Sequence, residues 1–334
     1  MVVTAEYVPD VPSSSSPLHW PVSARLYLPQ PWTEDAERRR RAHIPAEVGF
    51  ATKIELALRL IDQAGQWAVP FAWVTADAGY GSNPGFLEGL EARKLVYVVG
   101  VEKSFGMRLP EEVQEVVAAG PPPYTGKGRP RKQRPAPLHT AETIAAALTD
   151  DQWRTITWRE GTKRTLRKQF AALRVHRATG SPATTNAERI CTGPEGWLLV
   201  ERPLPDDGGE TKYYYSNLPV ETSLERLVEM AHTRWAVEQF YEDAKGECGL
   251  DNYQGRRWEG LHRHLALTML AYSFLAGQRQ IASPETGGFP PLWEHPLAAS
   301  GSPAGAAVAI AGPSSLVRGN RSDQDLPATT ELTK

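Results

Sequence analysis

The sequence predicts an α/β protein organised around a mixed sheet with at least some parallel strands. Two short, continuous apolar runs lead there, 71–76 (FAWVTA) and 95–101 (LVYVVGV). Runs of that length suit strands covered on both faces. Stretches with helical spacing precede and separate them: Ile54, Ala57, Leu58 and Ile61 in one, Phe86, Leu87 and Leu90 in the other. Helix, strand, helix, strand at these lengths make layers in which consecutive strands can run parallel.

In chain order, 2–8 (VVTAEYV) is a β-branched strand candidate, followed by a Pro- and Ser-rich loop over 9–17. Residues 24–28 (ARLYL) read as a second strand closed by Pro29 and Pro31, and 35–41 is highly charged. A helix is expected over 50–66, then strand 71–76 with Asp77 at its end. Gly79-Tyr80-Gly81 turns the chain, and Pro84 suits the first position of the next helix. From 104 to 220 the character becomes β-rich, with strand-like pieces at 153–158, 170–175, 197–200 and 213–215 and a Pro- and Arg-rich loop at 121–137. Helices return at 222–248, expected as one long helix, and at 258–279. The predicted organisation is therefore 1–103, a β-rich insertion over 104–220, helices over 221–282 and a disordered tail over 283–334. That tail is rich in Ala, Gly, Pro and Ser.

Lys and Arg total 37 against 39 Asp and Glu, which argues against a wholesale nucleic-acid coat protein, although net charge is a poor guide where charge is as unevenly placed as here. Two cysteines, Cys191 and Cys248, give neither a disulfide framework nor a Cys-rich zinc site. The N-terminus has no basic and apolar leader, and no apolar stretch reaches the roughly 20 residues that span a bilayer. A soluble, cytoplasmic protein with no membrane partner is expected.

Three features carry candidate chemistry. Asp77 ends an apolar strand before a glycine turn, where a carboxylate can hold a divalent metal or merely cap the turn. Arg234, Glu238 and Lys245 have R-x3-E-x6-K spacing, which places them within about 60° on one helix face. Glu238 could hold an ion while Arg234 and Lys245 hold phosphates, or the group could be an ordinary ladder of surface ion pairs. Lys127, Arg129, Arg131, Lys132 and Arg134 form a basic loop whose Gly128-Arg129-Pro130-Arg131 core is of the kind that enters a minor groove. The stretch 152–178 adds further cations interleaved with Trp153, Trp158 and Phe170, a pattern suited to nucleic acid or to a solvated basic edge.

Together these residues resemble a known family. Residues 73–81 (WVTADAGYG) resemble the second-aspartate motif of insertion-sequence transposases of the acidic-triad (Asp-Asp-Glu, DDE) class. Residues 234–245 (RWAVEQFYEDAK) resemble their Tyr-x2-Arg-x3-Glu-x6-Lys signature, with Ala231 standing where the Tyr would fall. Residues 26–32 (LYLPQPW), 249–251 (GLD) and 260–264 (GLHRH) are also similar to that family's text. The resemblance covers roughly 1–280. It implies a ribonuclease-H-like mixed sheet interrupted by the β-rich insertion, with Asp77 and Glu238 as catalytic metal ligands and Arg234 and Lys245 on DNA phosphates. It also implies Mg²⁺, with Mn²⁺ able to substitute, and DNA as partner, both transposon ends and target. A homodimer and a nucleoid-associated location complete what it implies.

In that family the first aspartate lies on a strand upstream of text like that of 2–32. This chain is therefore expected to lack it, to expose a sheet edge where that strand should lie, and to be inactive in transposition. Asp10 sits in the Pro/Ser loop and is not promoted. A ribonuclease-H-like nuclease without strand transfer and a non-catalytic DNA-binding remnant are the alternatives. An upstream reading frame carrying an Asp-bearing strand would separate active enzyme from remnant.

Overall fold

A computed structural model describes residues 1–9, 19–120, 123, 126, 134–160, 165–179, 192–205, 207–282 and 306–311. Asp10, Lys127, Arg129, Arg131, Lys132 and most of the expected tail lie outside the described residues.

Strand β1 (Val2–Val8) spans the predicted residues, and β2 (Trp20–Leu26) begins earlier than expected and pairs antiparallel with it. Two short helices, α1 (Gln30–Glu34) and α2 (Ala36–Ala42), occupy the charged stretch, with Asp35 accepting from the Arg38 backbone N–H to start α2. Helix α3 (Lys53–Gln66) starts at a capping box in which Thr52 and Glu55 satisfy each other's backbone N–H groups. Strand β3 (Phe71–Ala76) ends at Asp77. The single turn α4 (Ala78–Gly81) and helix α5 (Pro84–Ala92) lead to β4 (Val96–Val101), which is parallel to β3.

The β-rich stretch contains β5 (Gly106–Arg108), α6 (Pro110–Ala119), β6 (His139–Thr140), α7 (Ala141–Ala146), β7 (Arg154–Glu160), β8 (Thr165–Ala178), β9 (Thr192–Arg202) and β10 (Lys212–Ser216). It extends the same sheet, because β10 pairs antiparallel with β4 on one side and with β9 on the other. Then come α8 (Leu224–His232), α9 (Trp235–Gly246) and α10 (Trp258–Ala282). The expected single helix over 222–248 is thus two. The N–H groups of Ala236 and Val237 bond three residues back, to Thr233 and Arg234, and tighten the chain at the junction.

The last described strand, β11 (Ala306–Ala311), falls inside the stretch expected as a disordered tail, and these six residues depart from that expectation. Among the described residues the strands run β2-β1-β11-β3-β4-β10-β9-β8-β5-β6, with β7 paired on β8. Strand β11 is antiparallel to β1 and parallel to β3. No edge opens between β1 and β3, contrary to the expectation for that place. The sequence AAVAIA can fill a slot closed on both sides because it carries no polar side chain. Every residue in it is buried.

This mixed sheet with helices on both faces is a ribonuclease-H-like α/β architecture. Val3, Ala5, Val74, Ala76, Val99, Val308 and Ile310 face α3 and α5. Val8, Trp73, Val98, Ala307, Ala309 and Ala311 face the helices that follow the insertion, including Phe240 and Tyr241 of α9. Alternation along each strand decides which side chains reach the second face, and so which can approach α9.

Candidate functional site

Alternation puts Thr75 and Asp77 on the same face as Trp73, the face against which α9 packs. Asp77 Oδ1 accepts the backbone N–H of Gly79 at 2.9 Å and of Tyr80 at 3.3 Å, so the carboxylate caps the turn it begins. The turn is held close to β4. A Cβ built on Gly81 would stand 2.1 Å from the Gly100 carbonyl oxygen, so no larger residue fits without moving backbone. The turn-cap geometry considered for Asp77 is therefore realised, with the carboxylate at the carboxyl end of a parallel strand.

On α9, Glu238 lies in the first turn and Lys245 in the last. Glu238 Oε1 accepts from Arg234 Nη2 at 2.6 Å, so the i,i+4 ion pair considered from the spacing forms. Both side chains remain partly exposed, and such a pair is worth about 0–1 kcal/mol, little enough for a phosphate to displace the carboxylate from Arg234.

One turn beyond Glu238, Tyr241 points into the sheet, where its hydroxyl lies 2.8 Å from Thr4 Oγ1. Beside it Glu6 of β1 is fully buried, and its Oε2 has no hydrogen-bond partner among the described residues. Burial pushes the Glu6 carboxyl well above its ordinary value, against a hydrogen bond from Thr4 that favours the charged form. Burial also pushes Tyr241 and Tyr80 upward, and Asp77 contributes to both. The sequence reading missed Glu6, although an isolated acid at an alternating position in VVTAEYV was a usable signal.

Asp77 and Glu238 have the hard oxygen donors that Mg²⁺ prefers. Among the described residues, however, no three His, Cys, Asp or Glu side chains stand close enough to hold an ion. The donor chemistry fits, and the donor count falls short of a complete site.

The basic residues divide. Arg134 is exposed and is the one cation of the 127–134 group among the described residues. In the 152–178 stretch, Arg174 pairs with Glu195 at 2.7 Å, Arg177 with Glu91 at 2.9 Å and Lys168 with Glu201. Arg154 lies 3.4 Å from Glu225, and Arg167 is exposed. Part of the positive charge counted toward a nucleic-acid surface is spent inside the protein.

Asp77 thus stands at the carboxyl end of a parallel strand, on the sheet face against which α9, the helix of Glu238, packs. Residues 8–165 match the family model described as DDE superfamily endonuclease. The match covers just under half of the chain. It includes Asp77 and stops before α9, so Glu238, Arg234 and Lys245 rest on resemblance of motif alone. No curated protein matches the chain. Among the described residues no helix is long and apolar enough to cross a membrane.

Proposed function

We propose that this chain is a transposase-type DDE protein of insertion-sequence DNA which, by itself, binds DNA without cutting it. The observation that carries this reading is Asp77, at the carboxyl end of a parallel strand within the segment that matches DDE superfamily endonucleases. Asp77 and Glu238 are the two carboxylates the resemblance assigns to Mg²⁺. Arg234 and Lys245 are the cations it assigns to DNA phosphates, with 127–134 adding sequence-independent contacts. Two-metal phosphoryl chemistry needs carboxylates arranged to hold both ions, and the two named here fall short of the family's three. A homodimer and nucleoid association belong to the same reading.

The test is a duplex-binding titration across salt, together with nicking of supercoiled plasmid in Mg²⁺ or Mn²⁺. Binding should weaken steeply with salt, each phosphate contact contributing a slope of about 0.9 in log affinity against log salt. The plasmid should stay intact. Nicking by the chain alone that disappears in Glu238→Ala would overturn the non-cutting half of the proposal. Absence of binding at low salt would overturn the DNA half.

A further inference from the structure

Away from Asp77, the most fully partnered buried charge lies where the β-rich insertion meets the junction of α8 and α9. Glu201 of β9 is 1% exposed. Its carboxylate accepts from Lys168 Nζ of β8, from the Tyr214 hydroxyl of β10 at 3.0 Å, and from His232 Nε2 at 3.2 Å. Burial alone would raise this carboxyl, but His232 and Lys168 hold it down at about 2. His232 is the last residue of α8, and its Nδ1 lies 2.8 Å from the Val228 carbonyl oxygen. Both ring nitrogens thus lie within hydrogen-bonding distance of an acceptor. Trp158 of β7 stacks on that ring at 4.2 Å, and Phe170 of β8 meets it edge-on at 5.7 Å.

Four strands of the insertion therefore grip one residue of the helical region, and that residue sits at a particular place. Two positions after His232 is Arg234, and α9 with Glu238 follows. The buried Tyr214 hydroxyl is within electrostatic reach of Arg234 and Glu238 as well as Glu201, so the grip lies near that ion pair. At the junction the Thr233 N–H still bonds Glu229, while those of Ala236 and Val237 bond only three residues back, so α8 and α9 meet at a tightened turn and not in one continuous helical ladder.

We infer that Glu201 and His232 are positioning residues: they hold the start of α9 so that Arg234 and Glu238 face DNA. The inference rests on the DNA-binding reading above and extends it to residues outside the family-model match. It gives the insertion a task, to aim α9 through one buried carboxylate that takes hydrogen bonds from β8, β10 and α8 at once.

The experiment uses the full chain and four variants. Glu201→Gln keeps shape and removes charge, and His232→Phe keeps the stack on Trp158 and removes the Nε2 bond. Arg234→Ala removes the phosphate contact directly, and the fourth combines Glu201→Gln with Arg234→Ala. If the inference holds, Arg234→Ala lowers the salt slope by about 0.9. Glu201→Gln and His232→Phe lower it by the same amount with about tenfold weaker binding, and the combined variant loses no more than Arg234→Ala alone. His232→Gln, which can still donate to Glu201, should recover most of the slope. An unchanged slope in both Glu201→Gln and His232→Phe, or a fully additive loss in the combined variant, would overturn the inference.

Hydrogen exchange of the 235–240 amides provides a readout that needs no DNA. It should quicken in Glu201→Gln and His232→Phe beyond any change in Ser223→Ala, which weakens α8 without touching the grip. Should the wild-type chain bind no DNA, the proposed function falls, while the exchange result still decides whether Glu201 and His232 hold α9. Should Glu201→Gln fail to fold, His232→Phe carries the test.

Discussion

Strands β11 and β9 lie in one sheet, and each has a run of buried residues, yet they are held by different forces. Strand β11 offers Ala306–Ala311 with no polar side chain, so its attachment is the backbone ladder to β1 and β3 plus apolar contact on both faces. Strand β9 buries Glu201 among Leu198, Leu199 and Val200, and its neighbourhood is threaded with ion pairs. The difference teaches where each half is vulnerable. The apolar half should fail when any charge enters it. The insertion half should fail when a charge is removed from a pair and its partner is left dry.

The largest effect expected is in β11. Val308 is fully buried on the α3 side. Val308→Asp should cost about 4 kcal/mol or more, an appreciable part of the 5–15 kcal/mol that stabilises a typical domain. Thermal unfolding followed by circular dichroism checks this, and a Tm within a few degrees of wild type would remove β11 from the centre of the sheet.

In the insertion half, Arg177 is 2% exposed, and among the described residues its Nε and Nη1 have no partner beyond the bonds that Nη2 makes to Glu91. Glu91→Leu alone leaves a buried cation and should cost about 3 kcal/mol, at the low end for a broken buried pair because Glu91 is partly exposed. Adding Arg177→Met should restore much of that stability. If the double variant is as unstable as the single in denaturant titration, the contrast between the two halves fails.

Glu6 sharpens the comparison, being a buried acid of the apolar half with no cation paired to it among the described residues. Its folded-state pKa lies above its ordinary value of 4.5, so the folded protein keeps a proton that the unfolded chain releases. Stability from this group is therefore intact below about 4.5 and is lost as pH climbs toward the folded pKa. Glu201 has the opposite sign. Its stabilisation is present above 4.5 and lost as pH falls toward about 2. Glu6→Gln should flatten the fall of Tm as pH rises above 4.5, and Glu201→Gln should flatten its fall in acid. Parallel Tm profiles for the wild type and both variants would contradict both assignments.

The smallest effect belongs to a local feature common to any helix. Ser223 accepts the Arg226 backbone N–H at the start of α8, and Ser223→Ala should cost about 1 kcal/mol. A loss as large as that of Glu91→Leu would mean that Ser223 does more than cap.

Much of this molecule is written in local pattern. Strands β1 and β3 span the predicted residues, β4 starts one residue later than predicted, and α3 begins at the Thr52–Glu55 box. Asp77 at a strand end and Glu238 in R-x3-E-x6-K spacing could be picked out because period and spacing are properties of consecutive residues. Local pattern could not decide what those residues touch. Whether Arg234 meets a phosphate or Glu238, and whether Arg174 and Arg177 face DNA or Glu195 and Glu91, depends on partners brought in from elsewhere. The placement of β11 is the clearest case. Six small apolar residues in a Gly-, Pro- and Ser-rich stretch carry almost no signal of their own, and they become a strand only because β1 and β3 present two unpaired edges to satisfy. The sequence by itself determined which segments could be strands and helices, through side-chain period and caps. Tertiary structure alone decided the sheet order and the fate of each buried charge, because hydrogen-bond edges and desolvated ions are satisfied only by groups distant in the chain.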